Sequence, residues 1–193
     1  MKAKRLWWTL RTTFIRGARK RAEYARKKKI YSHVGRDVAI QSRNIPLYSE
    51  LISFHNNIVL GSNVLFCTHD AIHNVLNRLP EKERKSFEFK ERIGCIEIMD
   101  NCFIGADTII LYDTRIGPNV IIGSGSVITK DCEPNSVYAG CPAKKIGTFE
   151  EYVEKRILHE TSGDFSTTTH NQDLSEEEIA KTWADFNQRH SER

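Results

Sequence analysis

Residues 98–133 read IMDNCFIGADTIILYDTRIGPNVIIGSGSVITKDCE, with isoleucine at every sixth position: Ile98, Ile104, Ile110, Ile116, Ile122 and Ile128. A period of six fits neither an amphipathic helix nor an alternating strand. It is a fixed-period signature of a β-helix, in which each short strand turns a corner and sends one apolar side chain into a shared interior. Isoleucine is stiff at χ1 and fills such a stack well. Its neighbours agree. Gly105, Gly117 and Gly123 follow three of the isoleucines, where a corner would crowd the backbone. The fourth residue after each isoleucine is small or β-branched: Cys102, Thr108, Thr114, Val120, Ser126 and Cys132.

An earlier run keeps the same phase within itself. Tyr48, Phe54, Leu60 and Phe66 are followed four residues later by Ile52, Ile58, Val64 and Asp70, and Val34-Gly35 with Ile40 suggests a poorer start before it. Residues 70–92 break the phase with a polar, charged stretch that carries Pro80. The interior of a stacked prism is already filled, so this insertion must project as a protruding loop, a usual place for function. Three hexapeptides make one turn of a triangular prism. The two runs therefore predict an all-β solenoid of about four coils, a parallel β-helix over residues 31–147. So short a prism offers flat faces for a cyclic homo-oligomer.

The flanks read differently. Residues 1–30 hold twelve Lys or Arg and one acid, Glu23, whereas the remainder holds 17 basic and 24 acidic residues. Residues 2–29 predict one basic helix with Leu6, Trp7, Leu10, Phe14 and Ile15 near one face. Such a helix suits a membrane interface, packing on its own protein, or nucleic acid; no nucleic-acid motif accompanies it. Residues 148–193 predict a helical extension: a helix from Thr148 to about Glu160, a polar linker over 161–173, and a last helix that a Ser175/Glu178 capping box opens. With 193 residues and 39% hydrophobic content, the chain can build a real core, yet no stretch approaches the ~20 apolar residues of a membrane span. The start lacks the apolar segment of a secretory signal, and the five cysteines read as packing residues in a reducing compartment. The expected location is cytoplasmic, with contact to the inner face of the membrane through residues 1–29 left open.

The most specific stretch closes the repeats: residues 116–131, IGPNVIIGSGSVITKD, and then residues 134–144, PNSVYAGCPAK. It resembles the segment IGxxxxIGAGSVVTKDxPPxxVxxGxPAK of the hexapeptide-repeat acyltransferases, which include serine, maltose, galactoside, xenobiotic and capsular-sugar O-acetyltransferases. The resemblance covers residues 34–147. It implies a left-handed coil, a homotrimer, and acetyl-coenzyme A as acyl donor with no metal. Cys141 stands where the family often has Asn.

In that family the general base is a histidine at or just before the root of the protruding loop, a place that His69 takes here, with Asp70 beside it either to orient the ring or to cap the turn. The chemistry needs such a residue, because an acceptor hydroxyl is a poor nucleophile until a neutral imidazole removes its proton. The resemblance places coenzyme A along Ala106, Ser124, Thr129 and Lys130, with Lys144 and Lys145 near the exit. Asn56 and His73 are the candidate acceptor contacts, with His55 beside Asn56.

The expected function is acetyl transfer to a hydroxyl of a sugar or cell-surface polysaccharide precursor. The alternatives are xenobiotic O-acetylation, amino-sugar N-acylation, and a β-helix scaffold without catalysis. A zinc-dependent β-helix carbonic anhydrase would need three histidines, and no third one lies between residues 74 and 158 to join His69 and His73.

Overall fold

The computed structural model describes residues 2–161 and 174–191. By compactness the chain divides into two units, Met1–Phe149 and Glu150–Arg193. The first unit opens with helices α1 (Lys2–Phe14) and α2 (Ala18–Lys27), strands β1 (His33–Val34) and β2 (Val38–Ile40), and a 3-10 turn at Ser49–Leu51. Strands β3 (Ile52–Phe54), β4 (Ile58–Leu60) and β5 (Leu65–Cys67) lead to β6 (His69–Asp70), the short helix α3 (His73–Leu76) and β7 (Arg92–Ile93). The regular run follows: β8 (Ile96–Ile98), β9 (Cys102–Ile104), β10 (Ile109–Leu111), β11 (Thr114–Ile116), β12 (Val120–Ile122) and β13 (Val127–Ile128). It exits through β14 (Ser136–Gly140) and β15 (Ala143–Thr148) into α4 (Phe149–Thr161), and α5 (Glu176–Ser191) ends the second unit.

The strands form three stacks visited in rotation. The first sheet has the order β1-β3-β8-β11, the second β15-β14-β12-β9-β4-β2, and the third β13-β10-β5. All pairs within them are parallel except β14 with β15. In register, Ile98 pairs with Ile116, Ile104 with Ile122 and Ile110 with Ile128, each a step of 18 residues, or three sixes. One layer earlier, Phe54 pairs with Ile98, Leu60 with Ile104 and Phe66 with Ile110, a step of 44. The surplus is the excursion after β6, which leaves the stack and returns without disturbing it.

The core is the column that the sixfold period describes. Ile98, Ile104, Ile110, Ile116 and Ile122 are fully buried and Ile128 nearly so. Burying each contributes about 1.5–3 kcal/mol. Thr108 and Ser126 face the same interior and send their hydroxyls to the carbonyl of Gly123. The first run is more aromatic at its centre: Phe54 packs edge-on against Tyr31 at 4.9 Å and Phe66 at 5.6 Å between ring centres.

The corners explain the tight repeat. Asn57, Asn101, Asn119 and Asn135 all adopt left-handed backbone angles, with φ of 54–59°. Asparagine tolerates this conformation better than other residues with a side chain, except aspartate. Each of the first three donates its side-chain amide to the next at 2.7–2.9 Å, so one corner carries a continuous amide ladder. At another corner the backbone of Gly105 runs so close to the next layer that a Cβ would lie 2.4 Å from the Ser124 nitrogen. No larger residue fits there.

Two expectations need correction. The basic N-terminal helix is two helices, parted at Ile15–Gly17, where Gly17 takes φ +93°. Helix α2 packs on the open end of the stack. It buries Ala22 and Ala25, and Arg21 donates to the carbonyls of Ile40 and Gln41 at 2.8 and 3.2 Å, which satisfies the exposed edge of β2. Helix α1 is tied instead to the strap over residues 41–48, through Thr12 Oγ1 to the Arg43 carbonyl at 2.7 Å. Tyr48, which the period places in a strand, is a left-handed turn residue (φ 52°) that leads into the 3-10 turn. The polar linker expected over 161–173 lies, past Thr161, outside the described residues. The capping box of α5 is formed: Glu178 N donates to Ser175 Oγ, and Ser175 N donates back to Glu178 Oε2 at 2.8 Å.

Candidate active site

His69 leaves the stack directly after the buried Thr68, whose hydroxyl donates to the Leu47 carbonyl at 2.6 Å. Strand β6 then pairs antiparallel with β7, His69 opposite Ile93 and Asp70 opposite Arg92, and this pair clamps the root of the excursion. The ring of Tyr48 stands perpendicular to the His69 imidazole at 5.4 Å between centres. The Nδ1 atom of His69 is buried and has no hydrogen-bond partner. A buried polar atom left unpaired costs about 1–3 kcal/mol. His69 lines an open cleft of about 480 Å3 with Arg5, Leu6 and Thr9 of α1, Asn44–Leu47 of the strap, and Leu65–Cys67 of β5.

Asp70 forms its hydrogen bonds away from the imidazole: its Oδ2 accepts from the Tyr112 hydroxyl at 2.6 Å and its Oδ1 from the Ile72 backbone N–H at 3.1 Å, the second bond being that of a turn cap. The Tyr112 hydroxyl, chiefly, holds the carboxyl below the usual aspartate range, with help from the Ile72 N–H and Arg92. The carboxylate in turn raises the Tyr112 phenol above its ordinary value. Arg92 lies over the Tyr112 ring at 5.0 Å and reaches Asp113 at 3.4 Å.

Tyr112 also lines a second cleft, of about 580 Å3, with Arg92, Leu111, Asp113, Thr129, Lys130 and Asp131. Thr129 and Lys130 are thus brought to the corner that carries the loop root. Ala106 and Ser124 are not: they occupy the corner between the second and third sheets, stacked one layer apart, with Gly125 N donating to the Ala106 carbonyl at 2.8 Å. The third sheet lies between the two groups. Lys144 and Lys145 stand on β15, where Lys145 pairs with Glu133 at 3.0 Å, and that carboxylate raises the lysine's pKa.

The acceptor candidates separate. Asn56 sits at the corner between the first and second sheets, donates to Asp100 through its backbone N–H (2.7 Å) and side-chain amide (3.0 Å), and accepts from Arg36 N. Its polar atoms serve the corner, away from His69 within one chain. His55 next to it meets Glu97 at 2.9 Å, and Arg115 meets the other oxygen of Glu97 at 2.7 Å. These two partners hold the Glu97 carboxyl below its usual range, His55 first. His73 opens α3 within the excursion, half-buried, with its Nδ1 also unpartnered. Among the described residues no group of three potential metal ligands gathers.

Sequence reasoning missed Tyr112, Tyr48 and Arg5. A signal for Tyr112 exists: the aligned repeats put Leu111 under Cys67, so Tyr112 falls beside the loop root. None exists for Arg5, because α1 lies outside the repeat.

Residues 96–130 match the bacterial transferase hexapeptide (six repeats) family. The repeat region of the chain is therefore similar to the hexapeptide-repeat transferases. A candidate acetyltransferase of Schizosaccharomyces pombe is 38% identical over 106 residues, which are 52% of this chain and 44% of the relative. The galactoside O-acetyltransferase of Escherichia coli is 30% identical over 115 residues, 59% of this chain and 52% of the relative. The chain thus spans about half the length of these curated relatives. Among solved structures, a galactoside acetyltransferase in complex with coenzyme A superposes with a TM-score of 0.52 at 21% identity, over 79% of this chain and 84% of that one. That likeness bears on the fold.

Proposed function

We propose that the chain is an acetyl-coenzyme A-dependent O-acetyltransferase that acts on a hydroxyl of a sugar or a cell-surface polysaccharide precursor, with His69 as general base. The observation that carries this reading is the half-buried imidazole with an unclaimed Nδ1, clamped at the loop root and open to a cleft. In direct transfer the imidazole takes the proton of the acceptor hydroxyl as its oxygen attacks the thioester carbonyl. The tetrahedral intermediate collapses, the C–S bond breaks, and the imidazolium returns the proton to the departing thiolate. Holding both substrates together supplies the positioning, and no acyl-enzyme is needed.

On this reading the three sheets are the faces of a left-handed parallel β-helix of about four coils, and coenzyme A runs beside the third sheet, between the Ala106/Ser124 corner and Thr129/Lys130. Lys144 and Lys145 meet its phosphates as point charges. A homotrimer would set each third sheet against a neighbour, so that a partner's corner, with its own Asn56, completes the acceptor site. The chain is read as three parts: residues 1–30, the catalytic repeats over 31–147, and the extension over 148–193. A cytoplasmic location at the inner membrane face draws support from α1, where Leu6, Trp7, Leu10 and Phe14 are 50–76% exposed beside Arg5 and Arg11. None of the described helices is long and apolar enough to cross a membrane.

A turnover screen with acetyl-coenzyme A against sugars, amino sugars and antibiotics tests the reading. Thiol release that depends on a sugar hydroxyl is expected. Turnover with amines alone would replace O-acylation by N-acylation, and no heat of coenzyme A binding would leave only a scaffold.

A further inference from the structure

A third cleft, of about 440 Å3, adjoins the His69 cleft and shares Arg5, Pro46 and Leu47 with it. Its walls are Lys4, Arg5 and Trp8 of α1, Lys29 and Ile30 after α2, and Pro46–Glu50 of the strap and turn. Tyr48 lines this cleft and packs edge-on against His69, which lines the neighbouring one. Three cations from two separate segments face the hollow against a single carboxylate, Glu50. Among the described residues none of the three cations forms an ion pair. Lys4 Nζ instead rests 4.8 Å over the Trp8 ring. The rest of the lining, Trp8, Ile30, Pro46 and Leu47, is apolar.

Cations without ion pairs on an apolar, aromatic wall are the chemistry of a site for a phosphate ester, in which the charge meets Lys and Arg while the adjoining group lies on the ring faces. We infer that this cleft binds the phosphate of a phosphorylated saccharide acceptor, whose reacting hydroxyl extends past Tyr48 to His69. The inference rests on the proposed role of His69 and adds the charge of the acceptor to it. A neutral sugar would leave the three cations without work. The same phosphate ester chemistry occurs in a soluble nucleotide sugar and in a lipid-linked saccharide.

Calorimetric titration of the full chain decides it. Galactose 1-phosphate should bind roughly tenfold or more tightly than galactose, as charge-assisted hydrogen bonds in a partly desolvated cleft allow. Inorganic pyrophosphate, which requires no particular sugar, should compete with it. Lys4→Ala/Arg5→Ala and, separately, Lys29→Ala should each erase most of this preference without changing coenzyme A binding. Uridine diphosphate galactose in solution and a polyprenyl phosphate galactose in micelles form the two arms that separate the sources, and tight binding in either supports the inference. Equal binding of charged and neutral probes overturns it, as does a preference that survives both variants. A chain that binds coenzyme A but ignores phosphate defeats this inference alone. One that prefers phosphate but ignores coenzyme A defeats the acetyl-transfer reading and leaves the anion site standing.

Discussion

The strands over residues 96–128 and those over 52–67 are built from the same unit and pair in register, yet they end differently. After Ile110 the chain passes through Leu111, Tyr112 and Asp113 and enters β11 at once. After Phe66, at the equivalent place one layer away, it passes Cys67 and Thr68 to His69 and leaves the stack. The regular run uses every corner for packing. The earlier run gives up one corner, and a buried imidazole atom without a partner appears there. A repeat that satisfies its own backbone has little left over for chemistry, so the candidate base sits in the irregular layer, with the regular layer as a rigid floor beneath it. Tyr112, from the floor, reaches up to Asp70 and ties the two layers together.

This contrast can be broken at several points. The largest effect on stability belongs to the floor. Ile116→Ala should cost about 2–5 kcal/mol by chemical denaturation, because the stack cannot collapse into the cavity. Asn119→Ala comes next, at about 1–3 kcal/mol, since it forces alanine into a left-handed corner and cuts the amide ladder. Asn119→Gly should recover part of that loss, and equal losses for the two variants would show that backbone strain is not the cause. Tyr112→Phe should leave the floor intact while loosening the root, with a fall in kcat of roughly two- to tenfold and little change in coenzyme A affinity.

Acid gives a smaller, local effect. The Asp70 carboxyl titrates below its unfolded value, so its tether contributes fully above about pH 4 and is lost as pH falls through the lowered folded value. Limited proteolysis across that range should open residues 70–92 before the strands of the regular run. The buried thiols offer a control. Burial pushes Cys102 up to about 11 and Cys132 up to about 12, so both should resist alkylation at neutral pH while the exposed Cys95 and Cys141 react.

Much of this is legible in the sequence, and the reason is physical. A stack in which every layer repeats writes its core as a period, so Ile98 through Ile128 announce their burial. A phase break is equally visible, so the position of His69 at the root of an excursion can be read without coordinates. What joins His69 there cannot. Arg5, Thr9 and the strap over 41–48 come from segments with no period, and tertiary packing alone folds them over the corner. Gly17 is a single residue whose left-handed φ turns one expected helix into two with different roles. The split of the expected coenzyme positions between two corners follows from counting sheets, which the sixfold period does not number. The asparagine ladder was within reach, since Asn101 and Asn119 are 18 residues apart, but only the layer register gives that spacing a meaning.

The central claim is that the imidazole at the broken corner performs the proton transfer. It is tested most directly by comparing acetyl-coenzyme A turnover by the intact chain and by His69→Ala, with folding and coenzyme A affinity measured on both. The account predicts a fall of about 10²- to 10⁴-fold in kcat with the cofactor affinity unchanged. A His69→Ala variant that turns over at the rate of the intact chain would contradict it.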